Sequence, residues 1–418
     1  MEGSLKSSNF DPMKWRHLIS IAFLTFCSTP QSEEAERETA IANVSTPAGP
    51  NSSLPHLIRG ADNNLYMSWI EKRDSNRVDL MYAQLTDNEW SEPELIASGN
   101  DWFVNWADYP MLAVDQNGNK IAHFLAKSSA GTYSYDVNLV LKPDTASEWS
   151  APIIPHSDGT PTEHGFATML PNNDGSFLLS WLDGRNTGGE GHGGHESGGA
   201  MTIRSAVIDM QGKLSEEAEL DGRVCDCCQT GGTITEDGAI IVYRDRSVDE
   251  VRDMAFVLKK DSMWSQPKLV AQDNWTIEGC PVNGPRIASY NKTVATAWFT
   301  SALSRPMVKV AFKTGENFNE PIIIDSTSPV GRVDIAMLSE EEAIVSWMDG
   351  GETPAIKYRT VNRNGSMFSE KILSEISESR GSGFPQMEVF NGHLYFVWTE
   401  LKGEKTALKM AKVKLATD

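Results

Sequence analysis

The chain of 418 residues carries 57 acidic against 37 basic side chains, a net charge of −20, and is 40% hydrophobic. That hydrophobic share is ordinary for a globular protein and supplies a sizeable core, while the charge argues against nucleic acid as a partner, since phosphate recognition needs a basic face. At this length one large all-β domain is as admissible as two or three average domains.

The first segment reads as an address. Lys14 and Arg16 precede an apolar run over residues 18–26 that ends at Cys27. A short basic segment before a short apolar one is the layout of an export signal, too short to remain as a membrane span. The ending LTFC resembles a bacterial lipoprotein signal, with Phe26 where a small residue is usual. The resemblance implies lipidation of Cys27, a membrane anchor there, and a periplasmic or cell-surface location, as for an outer-membrane lipoprotein; plain secretion is the alternative. Residues 1–27 are therefore read as signal, the polar and acidic stretch 28–43 as a tether, and 44–418 as one domain.

Beyond the tether the chain repeats itself. Short apolar strands ending in an aromatic recur at Trp69, Phe124, Trp181, Tyr243, Trp298, Trp347 and Trp398, at intervals of 55, 57, 62, 55, 49 and 51 residues. A second strand follows each aromatic, and then a turn of the W-S-x-P kind: WSEP, WSAP, WSQP, FNEP and a weakened FSEK. A period of about 50 residues built from several short strands is that of propeller blades. The expectation is an all-β propeller of four-stranded blades, seven in number with six as the alternative count. The seventh unit runs out of chain before its outer strand, and VSTP at residues 44–47 is expected to supply it and close the ring. DQNGN, NNDG and TEDG read as tight hairpin turns between the first and second strands of their blades.

The blade pattern is similar to that of the sialidase superfamily. More specifically, VCDCCQT, YRDRSVDEVRD and GCPVNGP resemble a group of exported bacterial sialidase-like propellers over residues 54–418. For the sialidases themselves the resemblance implies three arginines on a substrate carboxylate, a Tyr–Glu nucleophile pair and an Asp acid/base. The chain departs from that pattern: the aspartate boxes are degenerate, and LIRG at Arg59 replaces the usual first-arginine motif. Arg244, Arg246, Arg286 and Arg332 keep an anion site open, but no Tyr–Glu pair is assignable. Fold does not carry function.

The repeat register brings the unusual residues together. Cys225, Cys227 and Cys228 enter the inner strand of blade four, and Cys280 enters that of blade five. His164 enters that of blade three, while His192, His195, Glu196 and Met201 lie in the long loop between the second and third strands of that blade. All these loops are expected on one face. Thiolate sulfur favours Cu(I) or Zn and imidazole suits both, so Cys225, Cys227, Cys228, Cys280, His164, His192 and His195 form a candidate soft-metal set for copper or zinc. Asp226, Glu196 and Asp245 are candidates to orient the histidines. Asp226, Arg244, Asp245 and Arg246 are the catalytic candidates should the protein be an enzyme, whether a metal or redox enzyme or a glycoside hydrolase. Trp106, Asn283 and Arg332 are candidates to line a pocket for a small molecule or glycan.

Alternatives stand beside this reading. Four thiols outside the cytoplasm also suit disulfides, including an inter-blade bond to Cys280 or a vicinal one between Cys227 and Cys228, or a thiol–disulfide redox pair. Arg244, Asp245 and Arg246 also suit a salt-bridged scaffold. A glycan-binding or glycan-cleaving protein and a disulfide-stapled interaction propeller are the competing functions.

Overall fold

Seven antiparallel sheets follow one another along the chain in a computed structural model that describes residues 40–74, 76–86, 88–188, 199–403 and 405–415. The inner strands are Ser52–Arg59, Leu112–Val114, His164–Pro171, Gly231–Thr235, Arg286–Tyr290, Pro329–Met337 and Gln386–Phe390. Each touches the next, and the last touches the first, which closes a seven-bladed ring. No helix among the described residues is long and apolar enough to cross a membrane.

Blade three shows the pattern in full: His164–Pro171, Phe177–Asp183, Thr202–Ile208 and Leu214–Asp221 pair in that order. Its first turn has Gly175 at φ 83°, in the left-handed region that glycine enters without steric cost. Blade seven is completed from the other end of the chain, by Ile41–Val44 against Lys405–Lys414, with Ile41 opposite Val413 and Val44 opposite Met410. The closing strand thus ends where VSTP begins and takes in the last residues read as tether. Blade two departs from the expected four strands. Leu112–Val114, Lys120–Lys127 and Tyr135–Lys142 form a three-stranded sheet, and the place of the fourth is marked by one bridge between Leu139 and Ile153.

Alternating residues of each strand face the neighbouring blades, so the core lies between sheets rather than at the ring centre. Trp69, Trp181, Trp298 and Trp347 are fully buried there. A buried indole N–H needs an acceptor, and each of these finds a carboxylate. Trp69 donates to Glu71 at 2.8 Å, Trp181 to Asp183 at 2.8 Å, Trp298 to Asp273 at 2.7 Å and Trp347 to Asp325 at 2.9 Å. The aromatic that marks the period in sequence is also a polar joint.

Two predictions follow from this packing. Trp347→Ala should destabilise by about 3–5 kcal/mol, as for other buried large-to-small changes. Asp325→Ala should cost less, about 1–3 kcal/mol for an orphaned donor, and denaturant titration of both variants checks the order. Glu388, on the inner strand of blade seven, is pushed up to about 7 from 4.5 by burial, against the N–H groups of Val389 and Arg59. The folded state therefore binds a proton there that the unfolded chain has released, so stability falls as pH rises from about 4.5 to about 7. Glu388→Gln should flatten that part of the stability–pH curve.

Candidate metal centre

The segment carrying the three clustered cysteines hangs between two blades. Val224 N–H donates to Met201 C=O at 2.9 Å, and Cys225 N–H donates to Arg244 C=O at 3.0 Å. Four residues on, Gln229 ties the segment to the Cys280 loop. Its side-chain oxygen accepts from Gly284 N–H at 2.9 Å and its amide donates to Ala107 C=O at 2.7 Å. A Cβ at Gly284 would meet the Gln229 backbone oxygen at 2.1 Å, so only glycine lets the two loops press together. This close approach gives a physical reason for the pairing of CDCCQ with GCPVNGP.

Cys225, Cys227 and Cys228 are buried and unbridged, and their sulfurs converge. Cys225 Sγ lies 3.4 Å from Cys228 Sγ and 3.9 Å from Cys227 Sγ. All three sulfurs lie within 4.8 Å of one another. Cys280 is exposed, and its thiol helps to push Cys227 up.

Guanidinium groups surround the sulfurs. Arg252 is fully buried and donates to Cys225 Sγ at 3.4 Å and to Glu250 at 2.7 Å. Arg244, also buried, donates only to backbone carbonyls: Arg252 and Phe299 at 2.7 Å, and Asn283 at 2.7 and 3.2 Å. Its guanidinium lies 4.9 Å from the Trp275 ring centre. A buried cation with no carboxylate in contact needs a negative charge nearby. Cys228 supplies it. Burial opposes its ionisation, but the thiols of Cys225 and Cys227, the charge of Arg244 and the N–H of Asn283 hold it well below the usual thiol range. Burial instead pushes Cys225 up to about 11 and Cys227 well above the ordinary value. The trio is thus driven apart, Cys228 toward the thiolate and its two neighbours toward the thiol.

The other expected site residues fall as follows. Asp226 and Arg246 form an ion pair at 3.2 Å, and Arg246 also binds Glu250 at 2.7 Å. Asp245 is raised to about 6 by burial and by Asp221 and Asp253, and its carboxylate accepts from Arg246 N–H. Asn283 is a joint, accepting from Arg332 N–H at 2.7 Å and donating to Pro281 and Val330 carbonyls. Arg332 donates to the carbonyls of Glu378, Ser379 and Gly383. Its guanidinium lies 4.8 Å from the centre of the Trp106 ring, which stacks on Phe384. His192, His195 and Glu196 lie outside the described residues, as does Cys27. His164 is not among the sulfurs: it lies beside His156 with three aspartates, so the single soft set expected from the sequence is divided.

A Tyr–Glu pair is present where sequence gave no hint of one. Tyr135 OH donates to Glu163 at 2.5 Å, with Asp108 at 3.4 Å. All three are buried, and Phe103 stacks on the Tyr135 ring at 4.1 Å. The pair is separated by 28 residues and spans two blades, a distance no local motif reports.

No protein-family model matches the chain, and no curated protein matches it. Among solved structures it is similar to a protein of unknown function from Dyadobacter fermentans, with 11% identity, TM-score 0.50, and 90% of this chain and 98% of that one covered. It is also similar to the GH93 alpha-L-arabinofuranosidase of Fusarium graminearum, with 12% identity, TM-score 0.49, and coverage of 90% and 98%. A variant of the NanB sialidase from Streptococcus pneumoniae gives 12% identity, TM-score 0.45, and coverage of 89% and 70%. At these identities the likeness is one of fold.

The burial pattern sets the order of thiol reactivity. In a Cys27→Ser background, one thiol, Cys280, should react rapidly with a disulfide reagent, and three should react only in denaturant. Cys280→Ser should abolish the fast phase; a fast phase of two or more thiols would contradict the buried arrangement.

Proposed function

We propose that the protein is an exported, membrane-anchored metal-handling propeller whose Cys225–Cys227–Cys228 centre binds one soft ion, copper(I) foremost and zinc second, with Cys280 as the exposed fourth sulfur. The observation that carries this reading is the spacing of three buried sulfurs beside two buried guanidiniums. Thiolates about 2.3 Å from a shared ion stand roughly 3.8–4.0 Å apart, close to the 3.4 and 3.9 Å measured here. A disulfide would need the sulfurs more than about 1 Å closer. Arg244 and Arg252 favour the thiolate state that a soft cation requires, since metal binding displaces thiol protons.

The glycoside-hydrolase reading is favoured by the buried Tyr135–Glu163 pair with Asp108 beside it, but its arginine clamp has less support. Arg244 and Arg332 are occupied by backbone carbonyls, and Arg246 by Asp226 and Glu250. Arg286 donates to Tyr109 and Gln386 at 2.6 and 2.7 Å. Each of the four already holds internal partners, Arg286 by hydrogen bonds from Nη2 alone.

Elemental analysis of the full-length protein, isolated from an exporting host and then reconstituted anaerobically with Cu(I) or Zn²⁺, tests the proposal. One equivalent of Cu(I) should bind tightly, or one more equivalent of Zn²⁺ than the Cys225→Ser and Cys228→Ser variants retain, and each variant should lose it. Failure of both metals to bind above the level of these variants would overturn the reading. Loss of two titratable thiols in metal-free protein would favour the redox alternative instead.

A further inference from the structure

A second cluster, distinct in chemistry from the sulfur centre, lies where blade two meets blade three. His164 begins the inner strand of blade three, and Asp183 stands directly opposite it on the next strand. Asp136 lies near the start of Tyr135–Lys142, the third strand of blade two. His156 and Asp158 come from the connection between the two blades. The imidazoles of His156 and His164 stack with centroids 3.8 Å apart and planes 11° from parallel, which aligns their nitrogen edges.

The two edges differ. On one, Asp158 Oδ2 lies 3.0 Å from His156 Nδ1 in a hydrogen bond and 3.3 Å from His164 Nε2, with Asp183 Oδ1 3.7 Å from the latter. Both carboxylates are themselves held. The other oxygen of Asp158 accepts from the backbone and hydroxyl of Thr160, and Asp183 accepts from Trp181 and Arg185. On the opposite edge, Asp136 Oδ1 lies 3.3 Å from His164 Nδ1 and 3.7 Å from His156 Nε2. Those three atoms and His164 Nε2 are buried, and none of the four has a partner in hydrogen-bonding geometry. His164 is fully buried, so bulk solvent does not reach it.

Orphaned buried donors and acceptors that converge on one point call for a missing partner. Asp158 on Nδ1 of His156 fixes that tautomer and turns its Nε2 lone pair outward, as behind metal-binding histidines, while both nitrogens of His164 face carboxylates without a hydrogen bond. Two imidazoles and one carboxylate suit a first-row divalent cation. Charge agrees. Asp136, Asp158 and Asp183 against Arg185 leave two negative charges, which a divalent ion neutralises.

We propose that Asp136 Oδ1, His156 Nε2 and His164 Nδ1 form a binding site for a divalent cation of the zinc, cobalt or iron(II) class, oriented by Asp158 and Asp183 and independent of the cysteine centre. The site is of the N/O type, so its metal is borderline rather than soft.

Co²⁺ titration of the full-length Cys225→Ser/Cys228→Ser protein tests this apart from the sulfur site. One equivalent should bind, giving visible d–d bands without the near-ultraviolet thiolate charge-transfer band. Asp136→Asn or His156→Gln should abolish that binding, and Asp158→Asn should weaken it about 10–100-fold. A folded Cys225→Ser/Cys228→Ser protein that takes up no Co²⁺ or Zn²⁺, or an Asp136→Asn variant that binds as before, would overturn the proposal. Imidazole ¹⁵N shifts of the wild-type protein with Zn²⁺ give a second measure that needs no variant. Metal-type shifts at His156 Nε2 and His164 Nδ1 are expected, and an imidazolium at His164 that Zn²⁺ leaves unchanged would refute the site.

Discussion

A guanidinium sealed inside a protein with only carbonyl oxygens around it must be balanced by charge from somewhere, and Arg244 is in that position. Its three carbonyl partners come from blade four, the Cys280 loop and blade five, so the same side chain joins those elements and sets the potential at the sulfurs. Replacing it with a neutral residue would remove the joint together with one of the influences that lower Cys228, the others being the thiols of Cys225 and Cys227 and the N–H of Asn283. Structure and chemistry at this face are therefore not separable by mutation of Arg244 alone. Arg252 divides its charge between Glu250 and Cys225 and repeats the arrangement on a smaller scale.

The ring makes such a convergence possible. Each blade contributes one loop at the start of its inner strand and one beyond its second strand, and the closed circle of inner strands fixes how those loops meet. The loops differ while the Trp–carboxylate joints between sheets recur. Variation is thus confined to places where it does not disturb the core, which is the usual division between scaffold and site.

Much of this was legible in sequence because the aromatic period fixes blade register, and register fixes which loops share a face. The approach of Cys280 to the clustered cysteines follows from alignment of blades four and five, and so does the placement of His164 beside the loop after Asp183. What sequence could not supply was the choice of partner. Register puts His164 on the face of the sulfurs, but the partners it meets, His156, Asp136 and Asp158, sit in unremarkable text 6 to 28 residues away. The Tyr135–Glu163 pair escaped for the same reason. Side chains meet across blades through the ring closure, and no spacing rule in one strand encodes that. The closing strand was displaced by a few residues because Ile41–Val44 is exposed on most of its length and lacks the alternation that marks a buried strand.

Blade two shows what such a scaffold can give up. The residues that elsewhere form an outermost strand touch the sheet there at little more than Ile153, and the chain beyond is released to carry His156 and Asp158 inward. An outer strand is the most dispensable part of a blade, since it borders solvent and supports no neighbour. Surrendering it converts structural redundancy into freely placed chain beside an inner strand. In a circular repeat protein, new chemistry can thus arise by subtraction at the rim, with no insertion and no change to the packing between sheets.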